Sequence, residues 1–360
     1  MRVGLVVPRY APEIGGVETH VERLATGLAA RGHEVEVLAQ ATRASTETRA
    51  GVRVRRFRVL YPSRNFAFAP GLWSAVRREA RRLDLLHAHS YHALPALGAG
   101  LARGAPLVFT PHFHGRGHSP LRSSLHKIYV PAGRRIFRSA AAVVCVSEPE
   151  AALVGECFHG IERKIAVIPN GVDVAAIQEA EPFATRELVL LSVGRLEAYK
   201  RVELALDALA ALPPEWSLTI IGTGPRSDWL RRRISALGLG GRARLLGAVP
   251  IEELRRWYRT ATACVSMSTD EALGITTLEA AVAGAAVVAS DIPAHRYARA
   301  LAGGSARFVL VDPGADGAVI AAAVRASAQA ERAREPVIPT WDDVVERTLS
   351  LYEGVLAAHS

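Results

Sequence analysis

Two glutamates, Glu271 and Glu279, lie on either side of a predicted loop-to-helix junction in the last third of the chain. An apolar run at 263–265 indicates a buried strand, and a polar loop at 266–271 follows it. The helix after the loop carries Glu279 and ends at Gly284. Because the first N–H groups of a helix have no partner within it, such a junction can bind an anion or a polar ligand. A simpler alternative is that the carboxylate of Glu279 complements the helix dipole, an interaction worth ~0.3–1 kcal/mol. The two roles are compatible.

Two cations, Arg195 and Lys200, lie on the predicted loop after the apolar run at 188–192. An arginine can hold a phosphate bidentately, and a lysine acts as a point charge. Cations fixed on a loop stabilise negative charge that develops on a leaving group. Their spacing alone favours an ordinary solvent-exposed pair, so this pattern does not decide between the two interpretations.

Paired glycines follow two of the predicted strands. Gly15 and Gly16 come soon after the first strand, where the absence of a side chain lets the backbone approach a ligand or make a tight turn. Gly222 and Gly224 follow a later strand, but Ser227 stands at the third glycine position of the dinucleotide-binding fingerprint. We therefore predict no dinucleotide site of that type.

Three histidines, His112, His114 and His118, follow the strand predicted at 107–110. Spacings of two and four residues on a loop are weak evidence for a metal site, because no helix or strand holds the rings on one side. Solvated histidines or histidines near an acceptor are the favoured interpretation, and we predict no metal ligands.

Strands, loops and helices alternate along both halves of the chain, as in doubly wound parallel sheets. We predict an N-terminal Rossmann-like domain at 1–175, a second at 176–338, and a helix at 339–360 that crosses back to the first domain. A polar link at 174–187 separates the two series. Ligands in such sheets lie beyond the carboxyl ends of the strands, so we expect the two domains to face each other across a cleft. The predicted fold class is α/β.

The 360 residues fit two domains, and their net charge of +9 is unevenly distributed. Residues 1–175 contain 24 Lys and Arg against 13 Asp and Glu, whereas the remainder contains 20 against 22. Basic charge alone allows nucleic acid, a membrane surface or an anionic substrate as partner. The basic segments lack interleaved aromatic residues for base stacking, which weighs against nucleic acid. Peripheral contact with an anionic membrane is possible at two basic helical stretches, 77–82 and 122–138, although an ordinary solvated helix is slightly favoured.

The three cysteines have no metal or redox spacing and lie in or near apolar segments, which favours buried thiols in a reducing compartment. We see no signal peptide at the N-terminus and no apolar run of the ~20 residues that a membrane-spanning helix needs. The expected location is cytoplasmic, with a possible peripheral position on the inner face of the membrane.

Several ordered motifs together resemble the family-4 retaining glycosyltransferases of the GT-B fold. Each motif alone is weak, but their order covers nearly the whole chain. The motifs are Gly15-Gly16-Val17-Glu18, Leu85-Leu86-His87-Ala88-His89, Thr110-Pro111-His112, Val146-Ser147-Glu148, Ile168-Pro169-Asn170-Gly171-Val172-Asp173, Val193-Gly194-Arg195 with Lys200, Ile221-Gly222-Thr223-Gly224-Pro225, and Glu271 with Glu279. Leu273 departs from the pattern, because members usually carry Phe there, and the change concerns packing only.

The resemblance implies a role for each candidate residue. The catalytic set is His112 near the donor sugar, Arg195 and Lys200 at the diphosphate, and Glu271 by the transferred sugar. Glu279 would accept hydrogen bonds from the ribose hydroxyls. The remaining donor-binding residues are Gly15, Gly16, Asn170, Gly222, Gly224, Gly274, Ile275 and Thr276. The family is metal-independent, so we expect no cofactor, and the chain has no Asp-x-Asp motif.

The predicted activity is transfer of a hexose, of glucose or mannose type, from a nucleotide-diphosphate sugar with retention of anomeric configuration. The acceptor is expected to be a glycan, a lipid-linked molecule or a small molecule, in glycan, glycolipid or polysaccharide synthesis. Two alternatives remain open at this point. One is another GT-B enzyme, such as a sugar-nucleotide epimerase or a phosphorylase. The other is a catalytically silent scaffold protein, against which the intact charged residues argue.

Overall fold

The computed structural model describes residues 1–13, 15–60, 67–113, 120–331 and 338–359, and from 120 to 129 it describes the backbone only. The chain forms two compact units. Unit 1 comprises Met1–Gly171 and Trp341–Ser360, and unit 2 comprises Val172–Thr340.

Strands and helices alternate through both units. The strands are β1 (Arg2–Val7), β2 (Glu34–Ala41), β3 (Ser45–Arg49), β4 (Val52–Arg58), β5 (Leu85–His89), β6 (Leu107–Thr110), β7 (Ala142–Cys145), β8 (Ile165–Val167), β9 (Leu188–Val193), β10 (Trp216–Ile221), β11 (Ala243–Gly247), β12 (Ala263–Ser266), β13 (Ala286–Ser290) and β14 (Phe308–Val311). The α-helices are α1 (Gly16–Ala30), α2 (Pro70–Glu79), α3 (Leu94–Gly100), α4 (Pro120–Ser139), α5 (Glu148–Cys157), α6 (Val174–Gln178), α7 (Glu203–Ala211), α8 (Ser227–Ala236), α9 (Ile251–Thr260), α10 (Ile275–Val282), α11 (Pro293–Leu301), α12 (Gly317–Gln329) and α13 (Trp341–Ala357).

The described residues of unit 1 form one sheet in the order β3-β4-β2-β1-β5-β6-β7-β8. All neighbouring strands are parallel except β3 and β4. Val3 of β1 lies between Val35 of β2 and Leu85 of β5, and all three side chains are buried. Such central strands read as continuous apolar runs because both faces of the sheet are covered.

Two apolar layers cover the sheet of unit 1. The first joins α1 and α13, with Leu24 and Tyr352 fully buried in it. The second joins α2, α3 and α4, with Leu72 and Ile136 fully buried. The last helix of the chain is therefore part of the core of unit 1, where its apolar face covers the strands.

Unit 2 has a parallel sheet in the order β11-β10-β9-β12-β13-β14 among its described residues. Its core includes Leu190 of β9, Leu206 of α7 and Val324 of α12, which are all fully buried. The chain runs outward from β9 to β11 and then returns to β12 on the other side. This reversal creates a topological switch point between β9 and β12.

The α/β class and the two doubly wound sheets were predicted correctly. The boundary between the units lies at 171/172 rather than 175/176, because α6 packs against α9 and α10 of unit 2 and Val172 pairs with Thr340. Sequence reasoning missed two edge strands, β3 and β14. No helix within the described residues combines the length and apolar character that crossing a bilayer requires.

Candidate active site

The loops at the switch point of unit 2 carry Arg195, Lys200 and Glu271, and the helix after the second loop carries Glu279. Arg195 and Lys200 follow β9, and Glu271 follows β12, the strand next to it in the sheet. Glu279 lies on α10, which begins directly after the second loop. The carboxyl ends of parallel neighbours meet at one edge, so the sheet itself brings the two loops together.

Lys200 and Glu271 form an ion pair across the switch point. The Nζ of Lys200 donates to Oε1 of Glu271 at 2.5 Å, and the side chains are only 16% and 14% exposed. Burial alone would raise the pKa of Glu271, but the ammonium of Lys200 and the buried His295 nearby lower it below its ordinary value. Glu271 is therefore ionised at neutral pH, and a positive charge is held at the strand ends.

Arg195 lies on the same loop and is held by Tyr199. Its Nη2 donates to the Tyr199 hydroxyl at 2.7 Å, and its guanidinium lies 5.9 Å from the ring centre. The backbone N–H of Thr269 donates to the carbonyl of Tyr199 at 2.9 Å, which ties the two loops to each other. The loop that carries both cations is thus anchored to the loop that carries Glu271.

The start of α10 depends on Gly274. This residue has φ +79°, and an added Cβ would approach the His295 ring to 2.8 Å, so both backbone and packing require glycine. The Thr277 hydroxyl donates to the Gly274 carbonyl at 2.6 Å and fixes the first turn. The N–H groups of Ile275 and Thr276 belong to the first turn, where helix geometry supplies no partner.

Glu279 extends from the second turn of α10 toward α9. The hydroxyl of Tyr258 donates to its Oε2 at 2.7 Å. Burial raises the pKa of Glu279 to about 7, against the lowering effect of the Tyr258 hydroxyl. Asp173 and Arg255 form an ion pair at 2.8 Å. Asp173 raises the pKa of Glu279, and Arg255 lowers it. Tyr258 was not predicted, since the sequence shows only an aromatic residue on an amphipathic helix.

Gly222 and Gly224 allow two loops of unit 2 to cross in close contact. Gly222 has φ +141°, and a Cβ there would run into the backbone carbonyl of Gly194. A Cβ at Gly224 would meet the backbone of Leu196. The packing of the loops after β9 and β10 is therefore sufficient to require both glycines, and their contact with a donor stays a prediction.

The switch point of unit 1 lies between β1 and β5. Gly15 and Gly16 lie after β1, at the start of α1. A Cβ at Gly15 would meet the Glu18 side chain, whereas no described atom lies within 4 Å of a Cβ at Gly16. The protein's own described atoms thus leave space above Gly16, as its predicted role requires.

Three histidine rings come together at this edge of unit 1: His20 of α1, His89 at the end of β5, and His112 after β6. Their ring centres are separated by 5.3 Å (20–89), 5.2 Å (20–112) and 5.8 Å (89–112). Asn170 accepts a hydrogen bond at Oδ1 from His20 Nδ1, at 2.8 Å. Burial lowers the pKa of His20 to about 4 and holds that of His89 well below its ordinary value, so both rings are neutral.

Glu150 holds the loop that presents His112. Its two carboxyl oxygens accept the N–H of Phe113 at 2.5 Å and that of Val146 at 2.6 Å. His112 itself has φ +47°, a conformation that few residues other than glycine adopt. Burial raises the pKa of Glu150 to about 7, although both N–H groups favour its ionised form.

The structure thus divides the predicted residues between the units. Unit 2 contains Arg195, Lys200, Gly222, Gly224, Glu271, Gly274, Ile275, Thr276 and Glu279, and unit 1 contains Gly15, Gly16, His112 and Asn170. His114 and His118 lie outside the described residues. Five residues near the predicted site residues were not themselves predicted as site residues. His89 and Asp173 belong to motifs that the sequence analysis quotes, whereas no local pattern marks His20, Glu150 or Tyr258.

Two family models together match most of the chain. A model described as Glycosyltransferase Family 4 matches residues 14–176, and one described as Glycosyl transferases group 1 matches residues 173–335. The boundary between the matches falls close to the boundary between the two units.

Curated relatives and solved structures are similar over nearly the full length. A glycogen synthase of Mycobacterium tuberculosis is 31% identical, over 98% of this chain and 94% of that protein. A phosphatidyl-myo-inositol mannosyltransferase of Mycolicibacterium smegmatis is 31% identical, over 99% and 95%. The solved structure of a sucrose-phosphate synthase from Thermosynechococcus elongatus is similar with a TM-score of 0.78, over 99% of this chain and 100% of that chain, at 18% identity. The last comparison concerns the fold alone, which is the GT-B fold.

Proposed function

The chain belongs to the family 4, group 1 glycosyltransferases, and from this membership we propose that it transfers a hexose from a nucleotide-diphosphate sugar with retention of configuration. The observation that carries the proposal is the ion pair of Lys200 and Glu271, which lies at the switch point of unit 2. Doubly wound sheets bind their ligands at such a point.

Arg195 and Lys200 are proposed to stabilise the leaving diphosphate. Breaking the sugar–phosphate bond concentrates negative charge on that group, so fixed cations bind the transition state more tightly than the substrate. Tyr199 orients the exposed guanidinium of Arg195 and Glu271 orients the ammonium of Lys200, which supports a preorganised pair of cations. With two cations available for the diphosphate, we propose that transfer needs no metal ion.

Glu271 and the start of α10 are proposed to bind the transferred sugar. The N–H groups of Gly274, Ile275 and Thr276 stand at the positive end of that helix, where they can donate to sugar hydroxyls or to phosphate. Glu279 is proposed to accept hydrogen bonds from the ribose. The hydroxyl of Tyr258 supports this role, because it holds the carboxyl group in one orientation.

Retention is proposed to occur by front-face transfer. A double displacement needs a carboxylate free to attack the anomeric carbon, and Glu271 is engaged by Lys200. The departing diphosphate would instead take the proton of the acceptor hydroxyl, as the resemblance to the family implies. In the same scheme His112 contacts the donor sugar.

The hexose is proposed to be of glucose or mannose type, and the acceptor a glycan or a lipid-linked inositol. The support is the names of the two relatives, a glycogen synthase and a phosphatidyl-myo-inositol mannosyltransferase. Both are similar to this chain over more than nine tenths of its length.

The test is a transfer assay on the full chain. UDP-, GDP- and ADP-linked glucose and mannose are first ranked by thermal shift, because a ligand at ~100 times its Kd adds about 2.7 kcal/mol of stability. The best donor is then incubated with glycogen or phosphatidyl-myo-inositol in the presence of a metal chelator, and the new linkage is read by NMR. We expect a product whose anomeric configuration matches that of the donor.

Different outcomes would support the alternatives. Formation of an epimer, or release of free sugar without an acceptor, would indicate that the chain is a different GT-B enzyme, such as an epimerase or a phosphorylase. Nucleotide binding without turnover of any donor would favour a scaffold protein. An inverted product, or loss of activity with the chelator, would overturn the retaining or the metal-independent part of the proposal.

A further inference from the structure

The three histidines of unit 1 form a compact cluster that the proposed transfer reaction does not require as a group. One coordinating nitrogen from each of His20, His89 and His112 can be chosen so that all three lie within 4.8 Å of one another. The rings come from a helix, a strand end and a loop, so the fold of unit 1 assembles them from distant parts of the chain. Zn–N bonds of about 2.0–2.1 Å at tetrahedral angles would place the ring centres about 5 Å apart, close to the separations in this cluster.

The second observation is the unsatisfied side chain of His89. This ring is 0% exposed, and within the described part of the chain neither of its nitrogens has a hydrogen-bond partner. A buried polar group without a partner is destabilising, because it has lost its hydrogen bonds to water. His89 therefore has two buried nitrogens, at least one of which is available to a ligand that enters the cluster.

His87, two residues earlier on the same strand, is a buried histidine whose hydrogen bonds are satisfied within this unit. Its Nδ1 lies 2.6 Å from the Tyr352 hydroxyl, and its Nε2 lies 2.7 Å from Oγ1 of Thr110. It is as deeply buried as His89, but both of its nitrogens are satisfied. The contrast between the two rings shows that burial in this sheet does not by itself leave a histidine unsatisfied.

Asn170 selects the tautomer that binds a metal. Because its Oδ1 accepts from Nδ1 of His20, the lone pair of that ring is on Nε2. A metal-binding histidine almost always donates its other N–H to an oxygen in this way, and the bond fixes the orientation of the ring.

We propose that His20, His89 and His112 bind one divalent transition-metal ion of the Zn²⁺ type. Three imidazoles with no carboxylate or thiolate among them suit Zn²⁺, Co²⁺, Ni²⁺ or Cu²⁺ and do not suit Mg²⁺ or Ca²⁺. Small side-chain rotations bring the three nitrogens from the 4.8 Å limit to the separation of about 3.4 Å in a tetrahedral site. The site lies in unit 1, whereas the claim of metal-independent transfer concerns the diphosphate in unit 2. The two proposals share only His112, which is also proposed to contact the donor sugar.

The experiment uses the full, tag-free chain after removal of metals by a chelator. Zn²⁺ is titrated against a chromophoric competitor, and Co²⁺ is added separately to record its visible absorption. We expect one Zn²⁺ per chain with a Kd below ~1 μM, which corresponds to −8.2 kcal/mol. We also expect the intense Co²⁺ bands of a tetrahedral site, and no competition from Mg²⁺.

Two variants and a matched control make the result specific to the cluster. His89→Gln removes one ligand and should weaken Zn²⁺ binding more than 100-fold, while Asn170→Ala removes the support of His20 and should weaken it about 10–100-fold. His87→Gln, an equally buried position on the same strand, should keep the affinity within about threefold once folding is confirmed by circular dichroism.

The proposal fails if the folded chain binds no Zn²⁺ at micromolar concentration, or if His89→Gln binds it as tightly as the unchanged chain. It also fails if His87→Gln and Asn170→Ala lose affinity equally, because the loss would then reflect general damage to unit 1. Should His89→Gln not fold, the comparison of Asn170→Ala with His87→Gln decides the question alone.

Discussion

Replacing Lys200 by methionine tests whether its ion pair with Glu271 is catalytic or only structural. The change removes the ammonium and keeps a side chain of similar length. Both partners are less than a fifth exposed, at 16% and 14%, so solvent screens the pair weakly. The two interpretations predict different effects on stability and on rate, which can be measured separately.

The stability effect follows from the charge left behind. Breaking a buried pair by removing one partner costs about 3–5 kcal/mol, and the partial exposure of this pair favours the lower end of that range. Lys200 lowers the pKa of Glu271, which contributes stability above the ordinary carboxyl pKa that is lost at acid pH. In Lys200→Met burial raises that pKa instead, so the deficit in the free energy of unfolding should be larger at pH 7 than at pH 5.

The rate effect follows from the proposed role at the diphosphate. Losing one preorganised electrostatic donor typically lowers kcat by about 10²–10³, which is about 2.7–4 kcal/mol of transition-state stabilisation. The double variant Lys200→Met with Glu271→Gln contains no unpaired charge, so its stability should return to within about 1 kcal/mol of the unchanged protein. Its kcat should not recover.

The assay combines denaturant unfolding with steady-state transfer kinetics. Arg231→Ala in α8 is the matched control, because its exposed pair with Asp228 should contribute at most about 1 kcal/mol and lies within α8 rather than on the loops of Lys200 and Glu271. A Lys200→Met protein that is folded at the assay temperature and keeps more than a tenth of the native kcat would refute the catalytic interpretation. So would recovery of kcat in the double variant.

Three further predictions test other parts of the two units. In Tyr258→Phe the pKa of Glu279 should rise above its value of about 7, because the lowering effect of the Tyr258 hydroxyl is lost. The pH below which affinity for a nucleotide diphosphate falls should therefore move to a higher value. If that pH does not move, Glu279 does not take part in nucleotide binding. Gly222→Ala should destabilise unit 2 more than Gly238→Ala in denaturant unfolding, because both have positive φ but only the first would clash with the backbone of Gly194. A membrane role of the exposed arginines of α2 and α4 requires binding to anionic vesicles at low ionic strength with a steep loss on adding salt, and absence of binding at low salt would exclude that role.

Strand positions could be predicted because most strands of this chain are buried on both faces. The run at Leu107–Thr110 stands between helical patterns and has the predicted bounds. The edge strand Ser45–Arg49 is exposed along its whole length and has no apolar signal to find. Its antiparallel pairing with Val52–Arg58 depends on a tight turn rather than on burial.

The positions of the site residues on loops after strands could be predicted, but the contacts between those loops could not. Sequence reasoning placed Lys200 and Glu271 on loops after strands, but their contact spans 71 residues and depends on β9 and β12 being neighbours. The order of strands in a doubly wound sheet is a global property, so no local pattern contains it. The same argument explains the missed histidine cluster, since His20 and Asn170 are 150 residues apart and meet only because both flank the sheet of unit 1.

The two switch points differ in the electrostatics that folding imposes on them. In unit 2 a buried lysine is paired with an ionised glutamate, so the edge retains fixed charges suited to a phosphate. In unit 1 burial drives the rings of His20 and His89 to their neutral form, so the edge offers lone pairs rather than charge. A nucleotide diphosphate should therefore respond to substitutions at Lys200 and Glu279 and be insensitive to His89, whereas Zn²⁺ should show the reverse. Because Lys200 and Glu279 lie in unit 2 and His89 lies in unit 1, measuring both ligands on the same variants separates a specific loss from general unfolding.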